Sequence, residues 1–158
     1  MASDIEPALL AGTDREVTVR DHDPFLPVQR LGDRVTVGLH DVRQLLPFAD
    51  AAFDASYSHM LLCMSLTTPE LERLVGYLRR VLRPGGHVVY TVRTTDDAHY
   101  GTGIARGDDM YEHGGFVVHF FDRTLIERLS DGFVLVDVGE FTEGELPRRL
   151  ARVTMRRT

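Results

Sequence analysis

The sequence predicts an α/β fold with a mostly parallel sheet, and two features of the segment between Phe53 and Val92 lead to it. A helix with a single apolar stripe stands between two β-rich runs, joined to them by short connections. Strand, helix and strand in that order form a βαβ unit, which places its strands in parallel. The first run, Phe53–Leu62, is mostly apolar with few charges, as expected of a strand buried on both faces of such a sheet.

Taken in order, residues 1–15 read as a short helix or a frayed terminus ending at Gly12, and Glu16–Val19 as a β-rich run. Asp21-His22-Asp23-Pro24 is a turn signal. Val35, Val37 and Leu39 alternate along Arg34–Leu39, which reads as a strand. The helix is expected from Pro69 to about Leu82, with Thr68 as N-cap and Pro69 at the first helical position. Glu70 and Glu72 lie in the first turn, where the helix dipole favours anions. Leu71, Leu74, Val75, Leu78, Val81 and Leu82 form the stripe. Pro84-Gly85-Gly86 stops the helix, and His87–Val92 follows as a strand. Arg93–Gly115 is loop-rich. Asp122 can cap a second helix carrying Leu125, Ile126 and Leu129. Phe133–Val138 and Leu150–Met155 are the last strands, separated by the polar segment Glu140–Arg149.

Length and composition fit one cytoplasmic domain over residues 1–158, of which 1–33 form a variable N-terminal part. Apolar content of 43% and charged content of 27% are ordinary for a globular chain. No apolar run reaches a membrane span, and the acidic start does not resemble a signal peptide. A net charge of −6 argues against nucleic-acid binding. All 18 cationic residues are Arg, which has no evident physical reason. The single cysteine, Cys63, lies in the apolar run Met60-Leu61-Leu62-Cys63-Met64 and reads as a buried structural thiol. With one cysteine there is no internal disulfide and no cysteine metal cluster.

Three segments, in order and at normal spacing, resemble the class I S-adenosylmethionine-dependent methyltransferases of the type 11 kind. Leu39-His40-Asp41-Val42-Arg43-Gln44-Leu45-Leu46-Pro47-Phe48 resembles that family's acidic loop after the third strand. Phe53-Asp54-Ala55-Ser56-Tyr57-Ser58-His59 resembles its fourth strand. Arg80-Val81-Leu82-Arg83-Pro84-Gly85-Gly86 resembles the turn before its fifth. The family-like part covers residues 34–158. The resemblance implies a Rossmann-like methyltransferase fold, mostly parallel, with an antiparallel seventh strand inserted beside the fifth. Phe133–Val138 and Leu150–Met155 can fill the places of the sixth and seventh strands.

The family's first strand ends in a Gly-x-Gly loop that opens a helix and grips the cofactor. No segment before Val35 has this form: Gly12 stands alone and the next glycine is Gly32. Glu16–Asp23 resembles instead the second strand with its acidic end. The expectation is a chain truncated at its N-terminus, beginning in the first helix.

The resemblance implies S-adenosylmethionine as cofactor, held weakly or not at all without the glycine loop. Asp41, with Val42 beside it, would hold the adenine; Asp21 or Asp23 would hold the ribose hydroxyls; Ser58 and His59 end the fourth strand, at the sheet edge where such folds bind ligands. Methyl transfer from a sulfonium is an in-line displacement, so the protein chiefly aligns donor and acceptor and removes a proton. Candidates for that work are His59, His99, Tyr100 and His113. The last three belong to the 99–119 segment, whose glycines, aromatics and titratable groups suit a lid over a pocket. A surface loop with tight turns is the competing reading. His99, Glu112, His113 and His119 lack the spacing of a compact metal motif, and no metal is expected.

Two functions fit: a methyltransferase acting on a small-molecule acceptor, or a non-catalytic binding or scaffold protein that kept the fold and lost the cofactor. An enzyme that reuses the fold without S-adenosylmethionine is a third. A homodimer is expected, because without a first strand the apolar Phe53–Leu62 strand would present an unpaired edge.

Overall fold

A computed structural model of the chain describes residues 10–13, 16–17, 40–145 and 148–158. The expected strand at Arg34–Leu39 and the turn at Asp21-His22-Asp23-Pro24 lie outside the described residues. The elements run β1 (Leu10–Thr13), β2 (Glu16–Val17), β3 (Phe53–His59), α1 (Thr68–Val81), β4 (Leu82–Arg93), β5 (Ile104–Gly107), β6 (Met110–His113), β7 (Phe116–His119), α2 (Arg123–Leu129), β8 (Phe133–Glu143) and β9 (Arg148–Arg157). The main sheet has the order β2-β1-β3-β4-β9-β8, and β5-β6-β7 form a second, smaller sheet.

The βαβ unit forms as expected. β3 and β4 pair in parallel, Ala55 opposite His87 through His59 opposite Thr91. β9 inserts antiparallel beside β4, with β8 outside it. The mostly parallel sheet expected from the sequence is mixed: among the described strands only β3 and β4 run in parallel. The N-terminal residues also differ from expectation. Leu10–Thr13 is a strand rather than a helix or frayed end, and it pairs antiparallel with β3, Leu10 opposite Tyr57 and Gly12 opposite Ala55. The edge of β3 is thus covered from within the chain.

α1 begins one residue earlier than its sequence signals. Thr67, not Thr68, is the N-cap, and its N–H donates to Glu70 Oε2 at 2.8 Å. Pro84, Gly85 and Gly86 make a register shift within β4. Gly86 is obligatory there, since a Cβ would come within 2.9 Å of the Asp54 carbonyl oxygen. The polar segment Glu140–Arg149 is mostly strand, because β8 and β9 continue almost to the hairpin tip.

The core lies between one face of the sheet and the two helices. Leu71, Leu74 and Leu78 of α1 and Ile126 and Leu129 of α2 belong to one buried cluster with Val88, Tyr90, Val92, Val153 and Met155. Each such leucine contributes roughly 1.5–3 kcal/mol on burial. β3 is not buried on both faces as its composition predicts: Phe53, Ser56 and Ser58 are buried, whereas Ala55, Tyr57 and His59 are exposed. Cys63 is fully buried, and burial pushes its thiol up to about 11, which keeps it protonated and inert.

Candidate functional site

β3 and β4 end side by side, and the chain that follows each of them builds the site. After β3, residues 60–66 cross the edge of the small sheet. Ser65 N–H donates to the Val117 carbonyl at 3.0 Å, and His119 N–H to the Cys63 carbonyl at 2.9 Å. After β4, Phe121 N–H donates to the Arg93 carbonyl at 2.9 Å and Thr95 N–H to the Phe121 carbonyl at 3.1 Å. The segment expected as a lid or a turn-rich loop is therefore largely a three-stranded sheet docked on both strand ends.

Its β5–β6 turn is tied to α1. Asp108 and Asp109 both adopt left-handed backbone, with φ of 55° and 53°. Short polar side chains tolerate that region best. The Asp108 carboxylate accepts from Thr68 N–H at 2.7 Å and from the Thr68 hydroxyl at 2.9 Å, so one carboxylate closes the helix start and anchors the sheet. Burial raises the Asp108 pKa, but the two Thr68 bonds outweigh it and hold the group below its ordinary 3.8. We expect Asp108→Ala to cost about 1–2 kcal/mol, in the range of a lost helix cap. The lowered pKa gives the sign with pH. The Asp108 contribution is present above the unfolded pKa near 3.8 and is lost as pH falls through the folded value. Urea titrations at neutral and acid pH check both; equal stability of the two proteins at neutral pH would refute the tie.

The candidate residues fall into separate groups. His59 is half-exposed: its Nδ1 lies 2.7 Å from Thr91 Oγ1 and its Nε2 lies 3.4 Å from Glu143 Oε2. The Thr91 hydroxyl oxygen also accepts the Met60 N–H at 3.1 Å. His99 and His113 make a tilted ring contact, with centroids 5.1 Å apart. Tyr100 packs on Tyr111 and Phe120 at 5.4 and 5.6 Å, and its hydroxyl donates to Asp109 at 2.7 Å. That bond to a carboxylate raises the Tyr100 pKa. His119 belongs to the core: it is 1% exposed, with Nδ1 donating to the Leu66 carbonyl at 2.7 Å. Among the described residues no His, Cys, Asp and Glu group is placed to hold a metal.

Of the cofactor candidates, Asp21 lies outside the described residues. Asp41 accepts from Arg43 Nε at 2.9 Å and from Arg43 N–H at 3.0 Å. The Arg43 side-chain bond, first, holds the Asp41 carboxyl below its usual range. Val42 and Ser58 are both 2% exposed, Val42 as part of the hydrophobic core. Of these positions, Asp41 is the one with a partly exposed carboxylate. β1 runs antiparallel to β3, so Gly12 lies opposite Ala55, toward the end of β3 away from His59.

Sequence reasoning missed the pair that holds the segment together. Arg93 and Asp97 are 7% and 5% exposed. Arg93 Nε donates to Asp97 Oδ2 at 3.1 Å, and a terminal nitrogen of Arg93 donates to Oδ1. Asp97 also accepts from His99 N–H at 2.9 Å and from Arg149 N–H at 2.9 Å, joining the site to β9. Burial raises the Asp97 pKa, and these donors outweigh it, so the carboxyl is held low. The available signal was a charge ending an apolar strand, with the opposite charge four residues on.

A family model described as a methyltransferase domain matches residues 2–90, more than half of the chain. The chain belongs to the methyltransferase domain family. Solved methyltransferase structures share its fold. An S-adenosylmethionine-dependent methyltransferase from Mesorhizobium loti superposes with a TM-score of 0.69 at 18% identity, over 92% of this chain and 82% of that one. The 1,6-didemethyltoxoflavin-N1-methyltransferase of Burkholderia thailandensis, solved with 1,6-didemethyltoxoflavin and S-adenosylhomocysteine, gives 0.68 at 20% identity, over 90% of this chain. The family member described here spans 60% of the length of that enzyme. At these identities the likeness establishes the methyltransferase fold. No curated protein matches the sequence.

Proposed function

We propose that the chain is an S-adenosylmethionine-dependent methyltransferase-family protein acting on a small-molecule acceptor, and that these residues alone hold the cofactor weakly. One observation carries the acceptor side: the small sheet docked on the ends of β3 and β4 gathers His99, Tyr100 and His113 in one place. The Burkholderia enzyme, whose structure contains a small heteroaromatic molecule, supports an acceptor of that size. The net charge of −6 supports it against nucleic acid. Bound S-adenosylmethionine would supply an electrophilic methyl group. The work assigned to this chain is to orient the acceptor with His99, Tyr100 and His113, and to take up its proton; His59, held by Thr91 and Glu143, stands apart from them. On the cofactor side Asp41 is assigned to the adenine and Asp21 to the ribose, while Val42 and Ser58, both 2% exposed, are left out of the contact.

The expected affinity for S-adenosylmethionine is no better than about millimolar, or about −4 kcal/mol, because the glycine-loop contacts are missing within these residues. Calorimetric titration tests this, and micromolar binding would overturn it. Loss of the residual binding in Asp41→Ala is expected; retention would remove Asp41 from the site. The antiparallel β1 favours a second reading, a non-catalytic binding protein, for which no concentration of cofactor produces heat.

The homodimer stays part of the proposal, with its contact moved from β3 to β8. Strand β8 lies at one edge of the sheet, and Val134, Val136 and Phe141 on it are 43%, 53% and 38% exposed. Such an edge is a template for a second strand. Sedimentation is expected to show a dimer at tens of micromolar, which corresponds to an association free energy of roughly −6 to −7 kcal/mol. A monomer at that concentration, or a dimer unaffected by Val136→Glu, would refute this contact.

A further inference from the structure

His99 and His113 each have one ring nitrogen committed to the protein, and the partners decide which one carries the proton. His99 Nδ1 lies 2.8 Å from a terminal nitrogen of Arg93. A guanidinium can only donate, so Nδ1 is the acceptor and the neutral ring carries its proton on Nε2. His113 is engaged through the other nitrogen: Nε2 lies 2.9 Å from Thr102 Oγ1 and 3.2 Å from the His99 carbonyl oxygen. The Thr102 hydroxyl donates to the same carbonyl at 2.9 Å, which leaves its oxygen free to accept. A bare nitrogen would face two acceptors, so Nε2 of His113 carries the proton and Nδ1 holds a lone pair.

We infer that Arg93 and Asp97 are positioning residues that set His99 as a hydrogen-bond donor at Nε2, beside His113 as a base at Nδ1, so that the pair reads one acceptor molecule with adjacent donor and acceptor atoms. The chemical class is a small lactam, imide or hydroxy-carbonyl compound: its carbonyl accepts from His99, and its N–H or O–H faces His113. The proton moves from that nitrogen or oxygen to His113 Nδ1, and the electron pair stays on the acceptor atom. Asp97 acts through Arg93, fixing the guanidinium from both of its oxygens while also bonding the His99 N–H. Gly103, at φ +81°, leaves the room in which the His113 ring lies, since a Cβ there would stand 2.9 Å from Cε1 and Nε2. No hydrogen bond among the described residues engages His99 Nε2 or His113 Nδ1. The ring centroids lie 5.1 Å apart with their planes inclined at 43°, a separation that one small molecule can span.

The inference deepens the proposed acceptor side and rests on that reading only for the ligand class; the tautomers stand without it. Long-range proton–nitrogen spectra of the ¹⁵N-labelled full chain, assigned with His99→Gln and His113→Gln, report the tautomer of each ring without any cofactor. Both rings are expected as the Nε2–H form. A Nδ1–H form at His99 overturns the role of Arg93, and one at His113 overturns the base. Thr102→Val, at an exposed turn, is expected to release His113 into a mixture of forms while His99 is unchanged; no change at His113 counts against the assignment. Titration with 2-pyridone is expected to shift both rings with one midpoint. A shift of one ring alone, or of neither, overturns the paired reading and leaves the question of cofactor binding untouched.

Discussion

Replacing Arg93 by Met is expected to lower stability by about 3–5 kcal/mol, because it leaves the Asp97 carboxylate buried without its countercharge. That is a large part of the 5–15 kcal/mol typical of a domain. Arg149 N–H and His99 N–H would still bond Asp97, but backbone dipoles replace only part of a guanidinium. Arg93→Met/Asp97→Leu is expected to recover much of the loss, since an apolar pair of similar volume avoids the desolvation cost. The pH dependence carries a sign. Asp97 is held below its ordinary 3.8, so its contribution is complete above the unfolded pKa and disappears as pH falls through the folded value. Urea titrations of the three proteins between pH 7 and pH 3, the span in which an ordinary aspartate titrates, measure all of this. A single variant as stable as the parent would show that the pair contributes nothing.

Gly103→Ala is expected to cost about 2–5 kcal/mol. At φ +81° a Cβ incurs about 1–2 kcal/mol for left-handed backbone. The new carbon would also fall on the Glu112 carbonyl oxygen, a backbone atom fixed by the β5–β6 pairing, and overpacking of that kind adds about 1–3 kcal/mol. Gly101→Ala is the control: its φ is +74°, but no atom lies within 4 Å of the added carbon, so only the backbone penalty applies. Thermal unfolding compares the two. Equal losses would mean that the tight fit at Gly103 has no energetic consequence.

The helix–strand core was legible because its signals are local. The apolar stripe of α1, the Pro-Gly-Gly turn and the Asp122 cap each act over a few residues; the Asp122 carboxylate indeed accepts from Leu125 N–H at 2.7 Å. A one-residue error at the α1 cap arose because Thr67 and Thr68 are both good caps, and the choice fell to Asp108, forty positions away, which takes both donors of Thr68. The small sheet was not legible. Its strands, four residues each, carry no clear alternation, and β5 is exposed along its whole length.

The sequence by itself determined the βαβ unit, the α/β class and the family, since periodicity, caps and three short segments in order are properties of the chain alone. It also marked His99, Tyr100 and His113 by their company of glycines and aromatics. Only the tertiary structure decided which strand lies beside β3 and in which direction, because strand pairing is chosen among distant segments competing for the same backbone groups. It alone turned His119 into a core residue, and it separated His59, held by Thr91 and Glu143, from the His99 and His113 pair. The Arg93–Asp97 pair follows the same rule: two charges four residues apart are ordinary on a surface. They become decisive for the site here because β4, β9 and the small sheet remove them from water together.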